Sequence, residues 1–211
     1  MSRTLWLARH GNRQDFVDDT WRDSAERPDD PGLAPDGLEQ AKQLAKRLKG
    51  IPIDIIFASP FLRTVQTAQI IAEASDKPIY LEPGIGEKLS ETYFSGEPEI
   101  LSHERLAADF PNVDLSHQPL VTPTFPEDDE ANVSRMGEAA RRITESYEGT
   151  LLFVGHGATV SGIVQALTGS QEDAAPLCSL TKLVKEDGAW RLAFSNDVSH
   201  LDEVEEEVRL N

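Results

Sequence analysis

Leu5-Trp6-Leu7-Ala8-Arg9-His10-Gly11-Asn12-Arg13 passes abruptly from an apolar run to a cluster of basic and small polar residues. A short apolar run without polar alternation is what a strand needs when helices cover both faces of its sheet. The same change recurs twice: Ile53 to Phe57 runs into Ala58-Ser59-Pro60 and on to Arg63, and Leu151 to Val154 runs into Gly155-His156-Gly157. Ile79 to Leu81 is a weaker fourth strand. In open α/β sheets the ligand crevice lies beyond the carboxyl ends of the strands, where residues distant in sequence meet. The pattern predicts one pocket that gathers two histidines, His10 and His156, with Arg9, Arg13 and Arg63.

Helical patterns separate these strands. Leu38, Ala41, Leu44, Ala45 and Leu48 recur at helical spacing between Pro35 and Gly50. Val65, Ala68, Ile71 and Ala72 form a second stripe, with Ser59 and Pro60 as its expected cap and first-turn pair. Val133, Met136, Ala140, Ile143 and Tyr147 precede Gly149, and Val160, Ile163, Val164 and Leu167 precede Gly169. Residues 88–130 are polar and interrupted by prolines, with a helix expected over 97–110, and read as an inserted segment covering one end of the sheet. Leu177 to Val184 and Trp190 to Phe194 flank Lys185-Glu186-Asp187-Gly188 as a closing antiparallel hairpin. The expected architecture is a single α/β domain over 1–211, a three-layer α/β/α arrangement whose central sheet is mostly parallel with an antiparallel C-terminal strand.

Composition bounds the partners. No apolar run among the 211 residues approaches the ~20 needed to span a bilayer, so no membrane association is expected. The Leu5 to Ala8 stretch is too brief for a secretion signal, and the single cysteine, Cys178, placed in an expected strand, cannot form an internal disulfide. Both fit a reducing cytoplasm. A formal charge of −17 repels nucleic acid, so an anionic substrate must find a locally basic pocket. The acidic runs Asp18 to Asp30, Glu127 to Glu130 and Asp202 to Glu207 read as solvated charge.

The pocket suits a phosphoryl group. Guanidinium forks grip its outer oxygens with charge-assisted bonds. A neutral imidazole in line with the phosphorus attacks it, splitting hydrolysis into transfer to nitrogen and then to water. His10 is the expected nucleophile, and His156 joins the arginines as an electrostatic clamp. The leaving oxygen needs a proton from a carboxyl whose pKa is raised or which stays protonated beside the bound dianion. Glu87, after Glu82-Pro83-Gly84-Ile85-Gly86 at the end of the fourth strand, is the first choice, with Glu91 competing. A metal is a poor alternative, since two histidines lack further ligands and the arginines repel cations. His103 and His117 read as surface or structural. His200 follows the last strand closely enough to brush the pocket, and Trp21 lies near enough to the first motif to line its mouth.

Leu7-Ala8-Arg9-His10-Gly11 with Gly155-His156-Gly157 resembles the histidine phosphatase superfamily, of phosphoglycerate mutase-like fold. Ser59-Pro60-Phe61-Leu62-Arg63-Thr64 is similar to the family's helix bearing the second phosphate arginine. Glu82 to Glu87, and Arg13 four residues past Arg9, resemble the branch containing the ubiquitin-associated SH3-domain phosphatases and a yeast transcription-factor subunit. The resemblance implies a phosphohistidine on His10, a phosphate pocket of Arg9, Arg13, Arg63 and His156, Glu87 as the acid, and no metal or cofactor. The expected activity is phosphomonoester hydrolysis on a phosphorylated small molecule or phosphopeptide. Two rivals share the residues: a phosphoglycerate mutase, and a phosphate-binding scaffold without turnover. A mutase needs cationic groups for a second anionic end of its substrate, whereas Glu97 to Glu130 holds Arg105 as its only arginine or lysine. No exposed apolar stripe marks an oligomer interface.

Overall fold

The sheet seen in a computed structural model, which describes residues 3–202, contains β1 (Arg3–Arg9), β2 (Ile55–Ala58), β3 (Ile79–Leu81), β4 (Leu151–Gly155), β5 (Leu180–Glu186) and β6 (Ala189–Asp197). Their order is β3-β2-β4-β1-β5-β6, with the first four parallel and β5 and β6 antiparallel. Seven helices accompany them among the described residues: α1 (Gln14–Val17), α2 (Trp21–Ser24), α3 (Pro35–Leu48), α4 (Leu62–Ser75), α5 (His103–Asp109), α6 (Asp129–Ser146) and α7 (Gly157–Thr168).

The apolar runs are unbroken because alternate residues enter different cores. Trp6 and Ala8 pack with Ile56, Leu152 and Val154 against α3 and α4, whereas Leu5 and Leu7 pack with Phe57, Leu151 and Phe153 against α6 and α7. The result is the expected three-layer arrangement. Register then sets the site: Arg9 lies opposite Gly155, and Ala58 opposite both Val154 and Leu81. His10 and His156, each one residue further on, emerge at one level of the sheet, with Ser59 one step before them beside Gly155. His10 N–H donates to Gly155 O at 3.0 Å and Ser59 N–H to Val154 O at 3.0 Å, extending the ladders one step past the strands.

Several local expectations change. Leu38 is 38% exposed, and buried Gly37 stands at that face of α3 instead. Ser59 and Pro60 do not open α4, which begins at Leu62; its first amide donates to Asp30 Oδ1 at 2.7 Å, so a distant carboxylate supplies the cap. The 97–110 helix shortens to α5, capped by Ser102, whose side chain accepts from Arg105 N–H. Leu177-Cys178-Ser179 is not strand but a turn closed from Ser179 N–H to Pro176 O, with Cys178 at φ 52°. The closing hairpin turns on Asp187 and Gly188, both left-handed, so Lys185 and Glu186 remain in β5. Most of the acidic run from Asp202 to Glu207 lies outside the described residues.

The segment after Glu87 holds both an edge and an end of the sheet. Val113 pairs with Ile79 of edge strand β3, while Leu89 and Phe94 pack on Phe61. At the opposite end of the first motif, α3 docks on the loop after β1 by backbone contact. Asn12 N–H donates to Gln40 Oε1 at 2.9 Å and Asn12 Nδ2 to Asp36 Oδ2 at 2.6 Å. A Cβ added to Gly37 would lie 2.0 Å from Asn12 O, and one on Gly11 2.5 Å from Gly37 O. Neither backbone oxygen can swing aside as a side chain would. Gly37→Ala is expected to cost about 1–3 kcal/mol by forcing this contact apart, read as a lower urea midpoint with the slope unchanged.

Candidate active site

His10 and His156 face each other edge to face with ring centroids 5.3 Å apart, and both are 0% exposed. His10 Nδ1 lies 2.7 Å from Gly11 O, and Arg63 Nε lies 3.3 Å from His10 Nε2. A carbonyl only accepts and a guanidinium only donates, so Nδ1 carries the hydrogen and Nε2 a lone pair. Cys178 N–H donates to His10 O at 3.1 Å, so the Pro176–Ser179 turn holds the histidine's backbone. His200 Nε2 reaches Cys178 O at 3.0 Å, one residue removed from the pocket.

His156 is wedged between a carboxylate and a hydroxyl. Its Nδ1 lies 3.0 Å from Glu87 Oε2 and 3.3 Å from Arg63 Nη2, and its Nε2 lies 2.8 Å from Ser59 Oγ. The carboxylate accepts from Nδ1, which leaves Nε2 to accept from Ser59. Arg63 Nη2 donates to Glu87 Oε2 at 3.3 Å, and the guanidinium lies over the Phe61 ring at 4.7 Å. Arg63 Nη1 is buried without a partner. Arg9 donates to Ala175 O at 2.7 Å, and Gly157 sits against its guanidinium, where a Cβ would be 3.7 Å from Cζ. Arg13 pairs with Asp15 at 2.5 Å and covers Phe16.

Four of the six predicted residues, His10, Arg63, Glu87 and His156, are thus in mutual contact. Arg9 and Arg13 stand close enough for their charges to act on them. The structure separates the two candidate acids: Glu87 is 1% exposed within the cluster, whereas Glu91 is exposed to solvent. His117 is structural, between Glu82 at 3.1 Å and Tyr147 at 2.7 Å. Asp30 and Glu127, read from sequence as solvated, are buried, Asp30 on the amide of Leu62 and Glu127 on Arg135. Acidic clustering concealed both, because burial here depends on partners 32 and 8 residues away. Ser59 was visible in the sequence but its hydroxyl serves His156 instead of a helix cap.

Burial and the charges of Arg63 and Arg9 hold the His10 pKa well below its ordinary value, so its ring is neutral. Burial, helped by Arg63 and Arg13, pushes His156 down to about 4 against the opposing pull of Glu87. Arg63, lowered to about 10 mainly by burial, stays charged. For Glu87, burial raises the pKa, but His156, Arg63 and the Lys88 amide together outweigh it and hold the carboxyl well below the usual range. The free site thus holds Glu87 with a lowered pKa, the opposite of the raised value expected of a general acid. A cavity of about 440 Å³ opens onto Arg9 and Glu87 between the first turns of α6 and α7.

Neutral imidazoles beside fixed cations, at the carboxyl ends of parallel strands, define an α/β protein built to receive an oxyanion. The chain belongs to the histidine phosphatase superfamily (branch 1), whose family model matches residues 5–198. It is 26% identical to the ecdysteroid-phosphate phosphatase of Drosophila melanogaster over 90% of this chain and 32% of that protein. It is 36% identical to the transcription factor tau 55 kDa subunit of Saccharomyces cerevisiae over 52% of this chain and 26% of that one. The chain therefore spans only about a third and a quarter of these relatives. Among solved structures, the ecdysone phosphate phosphatase from Bombix mori in complex with tungstate matches with a TM-score of 0.76 at 23% identity, covering 99% of this chain and 98% of that one, which shows a shared fold. No described helix is long and apolar enough to cross a membrane.

The depressed histidines give stability a pH dependence. Because the unfolded His156 protonates near 6.5 and the folded one near 4, the group contributes nothing above pH 6.5 and costs stability as pH falls towards 4. Between pH 7 and pH 5 the expected loss is on the order of 2 kcal/mol. Urea unfolding at the two pH values should show it, and His156→Asn should shrink the difference.

Proposed function

We propose that the chain is a phosphomonoesterase working through a covalent phosphohistidine on His10. The observation that supports it most is the lone pair of His10 Nε2, fixed by the Nδ1 bond to Gly11 O and lying 3.3 Å from Arg63. Arg63 Nη1, buried without a partner, is a donor suited to a phosphoryl oxygen. Arg9, Arg13 and His156 complete the phosphate pocket, within one domain over 1–211 whose residues 88–130 cover the site.

His10 Nε2 attacks phosphorus as the ester P–O bond breaks, and Glu87 delivers a proton to the departing oxygen. Water then attacks the phosphohistidine, giving its proton to Glu87 and returning His10 to its neutral form. The proton enters with the substrate: a phosphomonoester loses its second proton near pH ~6, and a bound dianion that occupies the Arg63 charge removes one of the causes, after His156, that lower the Glu87 pKa. The guanidinium groups supply the charge that a metal would otherwise provide, so the reaction is read as metal-independent and without cofactor. The acid-side chemistry, the acidic surface and the lone buried thiol of Cys178 suit hydrolysis of phosphorylated small molecules or phosphopeptides in a reducing cytoplasm. The scarcity of cations in residues 97–130 favours water over a second phosphoglycerate hydroxyl as acceptor.

With an alkyl phosphomonoester, whose leaving oxygen needs a proton, kcat/KM is expected to be higher at pH 6 than at pH 8, because more of the substrate then carries its second proton while His10 stays neutral at both values, and to be unaffected by chelator. His10→Ala should lose on the order of a thousandfold or more in rate, since it removes the nucleophile. Equal rates from parent and variant would leave the scaffold reading. Isomerisation of a phosphoglycerate faster than phosphate release would establish the mutase.

A further inference from the structure

Glu87 and the four residues that lead into it are held by their carbonyls. Arg135, on the inward face of α6, donates through Nη1 to Gly84 O at 3.0 Å, Gly86 O at 3.4 Å and Pro83 O at 3.5 Å, and through Nη2 to Glu87 O at 3.0 Å. The remaining carbonyl, Ile85 O, accepts from Thr159 Oγ1 at 2.9 Å, and Thr159 Oγ1 in turn accepts from His156 N–H at 2.9 Å. Arg135 is itself aimed by Glu127, which accepts from Nε at 2.9 Å and again from Nη2, while Asn132 Oδ1 accepts from Nη2 at 3.2 Å. Glu127 also receives Leu89 N–H at 2.9 Å and donates its own N–H to Leu89 O at 2.8 Å, pinning the chain immediately beyond Glu87.

We infer that Arg135, oriented by Glu127, is the positioning residue that aims the Glu87 carboxyl at the leaving oxygen. The inference rests on the reading of Glu87 as the acid. A planar guanidinium fits the task because its donors diverge, reaching carbonyls three residues apart and a carboxylate together. A lysine ammonium presents its hydrogens from one point and cannot span them. Arg135 touches the backbone of Glu87 and not its carboxyl, so it acts on direction, and Glu87 must point at both His156 and the departing group to serve. Small errors in a proton donor's placement are costly because transfer requires hydrogen-bond contact. The guanidinium and Glu127 are both buried, so solvent cannot replace either when one is removed.

Leaving-group dependence separates aim from mere stability. An aryl phosphate with an acidic phenol departs without protonation, whereas an alkyl phosphate needs the acid. Arg135→Lys and the milder Glu127→Gln are to be compared with the parent on both substrates at a temperature where melting curves show each folded. Expected is a loss in kcat/KM on the alkyl ester that exceeds the loss on the aryl ester by on the order of tenfold to a hundredfold for Arg135→Lys, with Glu127→Gln smaller in the same sense. Glu87→Gln serves as reference and should show the largest selective loss. Equal losses on both esters in the folded Arg135 and Glu127 variants, beside a selective Glu87→Gln, overturn the positioning role while the acid stands. An unselective Glu87→Gln overturns the acid reading itself.

Discussion

Arg63 carries its charge where water does not reach, at 1% exposure, and the surrounding structure is arranged to satisfy it. A buried guanidinium is costly unless its charge is met, and every nitrogen of Arg63 but Nη1 finds a partner. Here Glu87 meets the charge, His10 Nε2 accepts one donor and the Phe61 ring covers the face. Burial, helped by that charge, lowers the pKa of both imidazoles, while His156 and Arg63 together hold the Glu87 carboxyl below its usual range. In a dry site such fixed charges act at full strength and need no reorganisation when an anion arrives.

Holding that cluster requires rigid supports on every side. The sheet register delivers His10 and His156 at one level with Ser59 one step before them, and Asp30 caps the helix on which Arg63 stands. Glu87 has the least regular mooring, a single 3-10 turn at Pro83–Ile85. It is compensated by side chains: Glu82 accepts the amides of Gly84, Leu120 and Val121, and Arg135 gathers the carbonyls. Gly84 leaves room for this grip, since a Cβ there would lie 2.8 Å from both Glu82 Oε1 and Val121 Cβ. Donors and acceptors of one turn are therefore exhausted from opposite sides, which gives an irregular segment the precision of a strand end.

Much of this could be read from residue order. The four apolar runs became four parallel strands, and β3 kept the bounds expected of it, Ile79 to Leu81. The basic and glycine-rich stretches after Ala8 and Val154 converged because strand ends converge. Helix starts are less legible: Ser59-Pro60 looks like a local cap, but the amide of Leu62 donates to Asp30 once the loop folds over it. Arg13 carries the expected charge, yet its ion pair with Asp15 and its position over Phe16 could not be inferred from spacing alone. Cys178 shares the apolar surroundings of a strand, but Pro176 and the link to His10 O bend its segment into a turn.

By itself the sequence determined the layer order, the parallel core and the identity of the residues that gather at its edge, because hydrophobic periodicity and strand polarity are local properties repeated along the chain. Only the tertiary structure decided which carboxylate meets the imidazoles, which imidazole nitrogen keeps its lone pair, and that Asp30, Glu127 and Arg135 lie buried around the site. Those outcomes depend on distances between segments and on the loss of water around charges. Neither is written in the spacing of residues, and both arise when separate elements close on one another.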